Sequence, residues 1–433
     1  MNGFVLKGNI CYSLSPEKLR TINNGYLVCV DGVSMGAFEK LPSEYRSLPL
    51  KDCGNRMIIP GLTDLHVHAP QYPFCGMGMD LELLDWLDKQ AFPEEEKYAH
   101  ITYAKKAYKK FVSDLTKSVT TRACIFATIH KASTLLLMEM LEKSGLVSYV
   151  GKVSMNRNCP DKLREQHPEK CLDDWLEGAL RFNNTKPIIT PRFIPSCTDG
   201  LLDCLSQVRD RLDLPVQSHI SENQSEIELV KELCPDAESY ADAYDMHGLL
   251  GKSKGGKNYK AVMAHCVYPE KSEIKKIAEN GVFIAHCPAS NTNLTSGIAP
   301  IRKLMEKGVR IGLGSDAAAG HTISILSAAV DAVQMSKMYC RLIDKRRAPL
   351  TFSETFYLAT VGGGEFFGKV GSFENGYEFD AVILDDSFDP CSDDTPLVQR
   401  LERFAYLSLD SMGIAAKFVR GKKIYSKANV KLL

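Results

Sequence analysis

Short apolar runs alternate with amphipathic stretches along most of this chain. The apolar runs are rich in β-branched residues and predict eight strands, at residues 62–68, 119–126, 147–155, 188–193, 215–219, 261–265, 282–286 and 309–315. The stretches between them carry apolar residues at helical spacing, for example at 94–115, 132–144, 200–211 and 272–279. Strands that alternate with helices are typical of parallel sheets, and eight of them predict a closed (β/α)8 barrel of the α/β class.

The two ends of the chain follow a different pattern. Both contain short strand-like runs separated by Gly, Asp or Asn, such as GYLVCVDG near the start and FDAVILDD near the end. Because neither end alone can bury a sheet face, we predict that the two ends meet in one small β-sandwich. The expected division is a discontinuous β-sandwich of residues 1–58 and 368–433 beside a TIM-like barrel of residues 59–367.

The composition limits the kinds of molecule that this protein is expected to bind. The 433 residues include 53 acidic and 53 basic side chains, a balance that gives no reason to expect binding to nucleic acid or to a membrane surface. The first residues lack the pattern of a secretion signal, and no stretch reaches the roughly 20 apolar residues of a membrane span. Fourteen cysteines without a CxxC pair indicate reduced thiols. We therefore expect a cytoplasmic protein with a small-molecule partner.

Metal-capable side chains stand at the ends of four predicted strands. His66 and His68 lie in GLTDLHVHA, His219 in PVQSHISE, His265 in AVMAHCVYP and Asp316 in IGLGSDAAAG. Parallel barrel strands present such residues together at their carboxyl ends, and alternate residues of one strand point to the same face. Each histidine taken singly is more simply an ordinary core residue. As a set in this order, the residues indicate a metallohydrolase centre.

Longer strings of the sequence resemble those of the guanine deaminases in the amidohydrolase superfamily. They are PGLTDLHVHAPQYPF, LLDWL, FPEEE, PRFIPSC, QSHISENQSEI, VMAHCVYP, IAHCPASNTNL and GLGSDAAAG, which follow in family order from about Pro60 to Gly320. The HxH pair and the final Asp are shared across the superfamily, whereas QYPF, PRF and HISEN are more specific. The chain departs from many relatives at Ser315, where they have Thr, and at Ala318 and Ala319, where their turn is richer in Gly.

The resemblance implies a metal ion held by His66, His68, His219 and Asp316, with His265 either a further ligand or a hydrogen-bond partner of the bound water. These residue types suit one divalent ion per subunit, with zinc the first choice and iron(II) the alternative. A second ion is not expected, because the fourth predicted strand carries no lysine where dinuclear relatives have a carbamate. The resemblance also implies a homodimer.

The implied reaction is the hydrolytic deamination of guanine to xanthine and ammonia. Asp316 accepts a proton from the attacking water, His265 orients that water toward C2, and Glu222 protonates ring N3 and relays a proton to the leaving amine. On spacing alone, Glu222 fits equally well as a solvated or helix-capping residue. The HISE match favours the role in proton transfer.

The same resemblance implies which residues bind the purine. They are Gln71, Tyr72, Arg192 and Phe193, together with His219 and Glu222. Glutamine both donates and accepts hydrogen bonds, arginine donates through its fork, and phenylalanine offers a stacking face. Arg192 has the alternative of a structural ion pair, and Trp86 is kept only as a wall of the pocket. His286 with the CPASN string that follows is interpreted as support for the site.

Other functions stay open at this point. An amidohydrolase with the same metal site can act on another amino-purine or amino-pyrimidine, although Gln71 and the PRF string argue against this. A non-catalytic barrel used for assembly is a second possibility, against which the intact ligand set argues. A metal-storage or metal-binding module is the third.

Overall fold

The computed structural model describes residues 2–390 and 395–427, so Met1 and residues 391–394 and 428–433 of the predicted terminal domain lie outside the described residues. Its strands are β1 (Gly3–Ser15), β2 (Lys18–Val30), β3 (Val33–Phe38), β4 (Leu50–Pro60), β5 (Leu62–His68), β6 (Thr120–Phe126), β7 (Val147–Gly151), β8 (Val153–Ser154), β9 (Thr185–Pro187), β10 (Thr190–Pro191), β11 (Val216–Ile220), β12 (Ala261–His265), β13 (Phe283–His286), β14 (Arg310–Leu313), β15 (Ala381–Leu384), β16 (Ile414–Val419) and β17 (Lys422–Ser426). Its helices are α1 (Leu83–Trp86), α2 (Phe92–Glu96), α3 (Ile101–Lys117), α4 (Lys131–Ser144), α5 (Pro168–Ala179), α6 (Asp199–Leu212), α7 (Gln224–Leu233), α8 (Tyr240–Asp245), α9 (Lys271–Glu279), α10 (Pro288–Asn293), α11 (Ile301–Glu306), α12 (Ile325–Leu342), α13 (Phe352–Tyr357) and α14 (Leu397–Tyr406).

The central part of the chain is a parallel barrel with eight strand positions. Hydrogen-bonded neighbours run β5, β6, β7, β9 on one side and β11, β12, β13, β14 on the other, while β8 pairs with β10. A bridge between Ile189 and Val216 joins the two sides. The opposite seam closes where the Asp316 amide donates to the His66 carbonyl oxygen at 2.8 Å. This arrangement is the (β/α)8 barrel that the sequence predicts.

Six of the eight predicted barrel strands lie within two residues of their expected bounds, and the third and fourth differ. The third is interrupted at Lys152 and resumes as β8, and the fourth is divided into β9 and β10. Proline explains the division, because Pro187 and Pro191 end these two short strands and have no N–H group to donate to a neighbouring strand. The long helix expected at 94–115 is likewise broken, since His100 has an extended backbone between α2 and α3.

The two ends of the chain join in one sheet, as the prediction of a shared terminal domain requires. Its seven strands follow the order β17, β16, β15, β4, β1, β2, β3 and are hydrogen-bonded continuously rather than as two separate sheets. The flanks of this sheet nevertheless face each other, because a Cβ at Gly32 in the β2–β3 turn would lie 2.8 Å from the Arg420 carbonyl oxygen in the β16–β17 turn. Phe4 packs between them, with its ring centroid 5.4 Å from those of Phe379 and Phe418. The domain boundaries at residues 58 and 368 stay a prediction.

Two buried basic side chains join the terminal sheet to the barrel. Arg122 of β6 donates to both carboxylate oxygens of Asp380, at 2.6 and 3.0 Å. Lys417 of β16 donates to the backbone carbonyl oxygens of Leu115, at the end of α3, and Thr120, at the start of β6. Each of these basic side chains finds its hydrogen-bond acceptors on the other part of the fold. The contacts therefore fix the sheet against the barrel wall.

All thirteen cysteines that the structure describes are unpaired, in agreement with the expectation of reduced thiols. Across residues 2–390 and 395–427, every helix is too short or too polar to cross a membrane.

Candidate metal centre and active site

Five side chains meet at the carboxyl ends of the barrel strands. They are His66 and His68 of β5, His219 of β11, His265 of β12 and Asp316 just after β14. The Nε2 atom of His68 lies 3.2 Å from the Nε2 atoms of both His66 and His219. Asp316 Oδ1 lies 3.3 Å from His66 Nε2, and Asp316 Oδ2 lies 3.8 Å from His265 Nε2. The structure therefore brings together all five residues that were predicted as metal ligands.

Local backbone geometry explains how the strand ends deliver these side chains. His66 and His68 are alternate residues of one strand and share a face. His265 and Asp316 have left-handed backbones, with φ of +76° and +46°. Non-glycine residues adopt this conformation at a cost that is often found at functional sites. Gly314 lets the two seam strands approach, because a Cβ there would lie 2.9 Å from the Cβ of His66.

The donor set fits a divalent cation. The Nδ1 atom of His219 lies 2.6 Å from the Arg192 carbonyl oxygen, and the Nδ1 atom of His265 lies 2.9 Å from Oδ1 of Asn291. Each ring therefore donates through Nδ1 and turns the lone pair of Nε2 toward the cluster. Two nitrogen atoms bound to one zinc ion at about 2.0–2.1 Å in tetrahedral geometry stand about 3.3 Å apart. The 3.2 Å separations between Nε2 atoms match this value.

Burial governs the charges in the cluster. It lowers the pKa of His66, His68 and His219 well below the usual value, and neighbouring imidazoles lower it further, so these rings are neutral. Burial raises the pKa of Asp316 and raises that of Glu222 well above the usual value, with the negative charge of Asp316 adding to the second effect. Neutral imidazoles suit a metal site, and a carboxyl group that retains its proton suits a general acid.

Glu222 stands beside the cluster. Its Oε2 atom lies 3.3 Å from Nε2 of His265, and its Oε1 atom accepts a hydrogen bond from the Ser296 hydroxyl at 3.3 Å. The helix α7 is capped by Asn223 and Glu226, which form a reciprocal capping box. Asn223, rather than Glu222, therefore caps this helix. The Glu222 side chain is instead buried beside the predicted ligands.

A cavity opens beside the cluster. Its polar lining comprises His68, Gln71, Arg192, His219, Glu222, His265 and Asp316, and its apolar lining comprises Leu83, Trp86, Leu87, Phe193, Leu294 and Ala319. Gln71, Arg192, Phe193 and Trp86 are thus all part of the cavity lining. A pocket that combines apolar walls with convergent polar groups is typical of sites for small molecules.

Tyr72 does not line this cavity, against the expectation that it binds the purine. Its hydroxyl donates to Asp114 at 2.8 Å, and its ring packs against Phe111. It lines a separate surface groove that also includes the exposed His321. The physical reason is the 3-10 turn Ala69–Phe74 that follows β5, in which successive side chains diverge.

Two further groups hold the predicted ligands in place, and sequence reasoning missed the first of them, Asp64. Asp64 accepts hydrogen bonds from the amides of His66 and Ser315, each at 3.1 Å, and from the Ser315 hydroxyl at 2.5 Å. It therefore ties β5 to the end of β14, across the barrel seam. A signal existed, because Asp64 is on the same face as His66 in DLHVH. Asn291, which orients His265, belongs to the HCPASN string that was assigned a supporting role.

Glu95 was also missed, and it contacts two of the predicted purine-binding residues. Arg192 donates to both carboxylate oxygens of Glu95, at 2.6 and 3.0 Å, and the Gln71 amide nitrogen donates to one of them at 3.0 Å. Arg192 therefore forms a structural ion pair and lines the cavity at the same time. Nothing in the string FPEEE distinguishes Glu95 from its two glutamate neighbours, so the contact is visible only in the fold.

Lysines near the third and fourth strand positions are engaged elsewhere. Lys152, just after β7, is buried and forms an ion pair with Glu165. Lys186 of β9 is exposed and donates to the Phe182 carbonyl oxygen at 2.8 Å. Neither lines the cavity beside the cluster.

A parallel barrel with imidazoles and a carboxylate at its strand ends defines a metal-dependent hydrolase class, and comparisons with known proteins narrow it. The model of the amidohydrolase family matches residues 57–424. The guanine deaminase of Dictyostelium discoideum is 36% identical over 97% of this chain and 98% of its own length. The guanine deaminase of Homo sapiens is 37% identical over 95% of this chain and 92% of its own.

Solved structures agree with these relatives. The crystal structure of guanine deaminase from C. acetobutylicum, with guanine bound in its active site, is 45% identical, has a TM-score of 0.93 and covers 98% of this chain and 100% of its own. An adenosine deaminase from Xanthomonas campestris with bound zinc shares the fold at 19% identity, with a TM-score of 0.80 and coverage of 99% of this chain and 94% of its own. The chain therefore belongs to the amidohydrolase family and, within it, to the guanine deaminases.

Proposed function

We propose that this protein catalyses the hydrolytic deamination of guanine to xanthine and ammonia. The observation that carries the proposal is the buried cluster of four imidazoles and Asp316, with Glu222 beside it, at the floor of a cavity walled by Gln71, Arg192 and Phe193. The full-length similarity to guanine deaminases supports it, and so does the bound guanine in the C. acetobutylicum structure.

A divalent metal ion, most simply zinc, is held by His66, His68, His219 and Asp316 in this proposal, with His265 beside it. Iron(II) accepts the same donor atoms and is the alternative. We keep one ion per subunit, since the described carboxylates and imidazoles form one compact group at the strand ends. A homodimer stays a prediction from the resemblance.

A divalent ion held by these residues would lower the pKa of a bound water molecule towards roughly 7 and would thereby make a nucleophile available at neutral pH. Asp316 accepts the proton of the attacking water, and His265, held by Asn291, orients it toward C2 of the purine. Glu222 donates its proton to ring N3, which makes C2 more electrophilic. The resulting Glu222 carboxylate takes the remaining proton of the attacking water and passes it to the exocyclic nitrogen, so that the C2 carbonyl forms and ammonia leaves. The proton held by Asp316 then restores the Glu222 carboxyl group.

The cavity wall on the other side of the purine fixes its orientation. Arg192 offers hydrogen-bond donors to the C6 carbonyl oxygen, and Phe193 offers a face to the ring. The indole nitrogen of Trp86 is buried in this lining and has no hydrogen-bond partner among the described residues. It is therefore a further donor for an acceptor atom of the base.

Ammonia release from a panel of guanine, adenine, cytosine and adenosine tests the proposal. We expect guanine to be turned over with the highest kcat/KM by the zinc-loaded protein. Deamination of adenine or cytosine faster than guanine would overturn the substrate and leave the metal cluster intact. Ammonia release from none of the four, with metal bound in stoichiometric amount, would favour a non-catalytic barrel.

A further inference from the structure

Glu95 is buried in the wall of the cavity and holds two side chains that contact the proposed substrate. We define the recognition wall as Glu95, Gln71 and Arg192. All three are at most 2% exposed, and the Arg192 guanidinium also lies 4.9 Å above the centre of the Phe92 ring. The wall is therefore fixed by an ion pair, a hydrogen bond and a ring contact before any ligand enters.

The contact between Glu95 and Gln71 determines which end of the Gln71 amide faces the cavity. A carboxylate only accepts hydrogen bonds, so the Gln71 amide must turn its NH2 group toward Glu95, where the nitrogen lies 3.0 Å from Oε1. The Oε1 oxygen of Gln71 is left buried and without a partner among the described residues. A buried acceptor of this kind costs free energy unless a ligand donates to it.

The contact between Glu95 and Arg192 determines the charge and direction of the other half of the wall. Two of the five guanidinium N–H groups go to the two carboxylate oxygens of Glu95. This bidentate pair neutralises the cation, so the wall suits an uncharged base. It also locks the plane of the guanidinium, and the wall then presents donors at Arg192 beside an acceptor at Gln71.

We propose that Glu95 is a specificity-determining residue that sets this donor and acceptor order and thereby selects purines with a carbonyl group at C6. Such purines carry an acceptor at O6 next to a donor at N1–H, which complements Arg192 and the Gln71 oxygen. Adenine carries the reverse order on the same edge. The inference rests on the proposed function for the identity of the substrate, and it concerns a residue that acts through its neighbours.

Binding of two non-hydrolysed or poorly hydrolysed probes, hypoxanthine and adenine, tests the proposal without depending on guanine turnover. Hypoxanthine has the carbonyl order and lacks the C2 amino group, and adenine has the reverse order. By calorimetry, the zinc-loaded protein should bind hypoxanthine at least about 10-fold more tightly than adenine, as expected for hydrogen bonds to buried groups. A wild-type protein without this preference would overturn the proposal.

In Glu95→Gln, the new amide can donate to the Gln71 oxygen, so the fixed orientation is lost. We expect the Kd for hypoxanthine to rise roughly 10- to 100-fold, the preference over adenine to fall to within about threefold, and the zinc content to stay at the wild-type level. Glu94→Gln is the matched control, because Glu94 is a buried glutamate of the same helix that binds Lys97 and Tyr103 instead. It should retain the wild-type preference.

Two further variants keep the test decisive if Glu95→Gln does not fold. Glu95→Asp retains the charge opposite Arg192 but is too short to reach both partners, and Gln71→Met removes the acceptor while leaving the ion pair. Both should lose the preference for hypoxanthine. A wild-type preference in any folded Glu95 variant would overturn the proposal. If the wild-type protein binds hypoxanthine in preference to adenine but does not deaminate guanine, only the proposed function is overturned.

Discussion

The metal cluster and the recognition wall lie in one cavity but are built in different ways. The cluster draws each residue from a strand end, and the two histidines of β5 reach it because they alternate along one strand. The wall takes Gln71 from the turn after β5 and Glu95 from α2. It also depends on the ion pair between Glu95 and Arg192, which are 97 residues apart in the sequence. Strand ends therefore position the predicted metal ligands, while a turn and a short helix joined by buried polar contacts position the base.

This difference predicts that the two regions fail separately. Damage to the cluster should remove metal and activity together, whereas damage to the wall should weaken substrate binding and leave the metal in place. The variants below test the separation, beginning with the largest expected effect.

His66→Ala should abolish both metal binding and ammonia release. The residue supplies one of the Nε2 atoms 3.2 Å from His68, and its removal leaves the other donors with an incomplete set. Metal content by inductively coupled plasma mass spectrometry and ammonia release from guanine check this result. Asp316→Ala should behave in the same way, while His247→Ala, a change at a histidine paired with Asp203 away from the cavity, is the control. Stoichiometric zinc in His66→Ala would remove that residue from the ligand set.

Glu222→Gln should bind metal and guanine but turn over at least roughly 100-fold more slowly, in line with the loss of a general acid and base. The amide has the shape of the carboxyl group but carries no proton that it can transfer. Single-turnover rates, measured with metal content and thermal unfolding on the same preparation, separate chemistry from folding. Turnover within a few-fold of wild type would assign the proton transfer to another group.

Arg192→Ala should retain zinc and lose roughly 10- to 100-fold in kcat/KM for guanine, because a charged donor to the purine carbonyl is removed. The substitution also leaves Glu95 buried without its cation, so part of the effect is expected in stability. The double variant Arg192→Ala with Glu95→Gln removes both charges and serves as the matched control. If metal content fell together with activity in that double variant, the two regions would not be separable.

Ser315→Ala should have the smallest effect. It removes one hydroxyl donor to Asp64, whose pKa is raised to about 7 by burial despite its hydrogen bonds to Ser315. We expect a loss of about 1 to 2 kcal/mol in the free energy of unfolding and only a few-fold reduction in turnover, because the backbone amides still tie the seam together. Chemical denaturation with a linear extrapolation measures the first quantity. Ser315→Thr keeps the hydroxyl and should resemble wild type, and equal stability of the Ala and Thr variants would show that the side-chain bond contributes nothing.

The sequence by itself determined the barrel and the members of the cluster. Short apolar runs that end in His or Asp identify a strand and the direction of its last side chains, since parallel strands of a barrel end on one face. This is why β5 and β12 have the predicted bounds and why all five expected ligands lie together. The resemblance of the longer strings then supplied the substrate class and the place of Glu222.

Only the tertiary structure decided which side chains line the cavity and what holds them. Gln71 and Tyr72 are neighbours in sequence, yet one faces the cavity and the other binds Asp114, because a 3-10 turn sends them apart. The glutamates of FPEEE are equivalent as letters, and only packing places Glu95 against Arg192. Strand periodicity constrains directions within one regular element, whereas contacts between an irregular turn and a distant strand depend on the path of the whole chain.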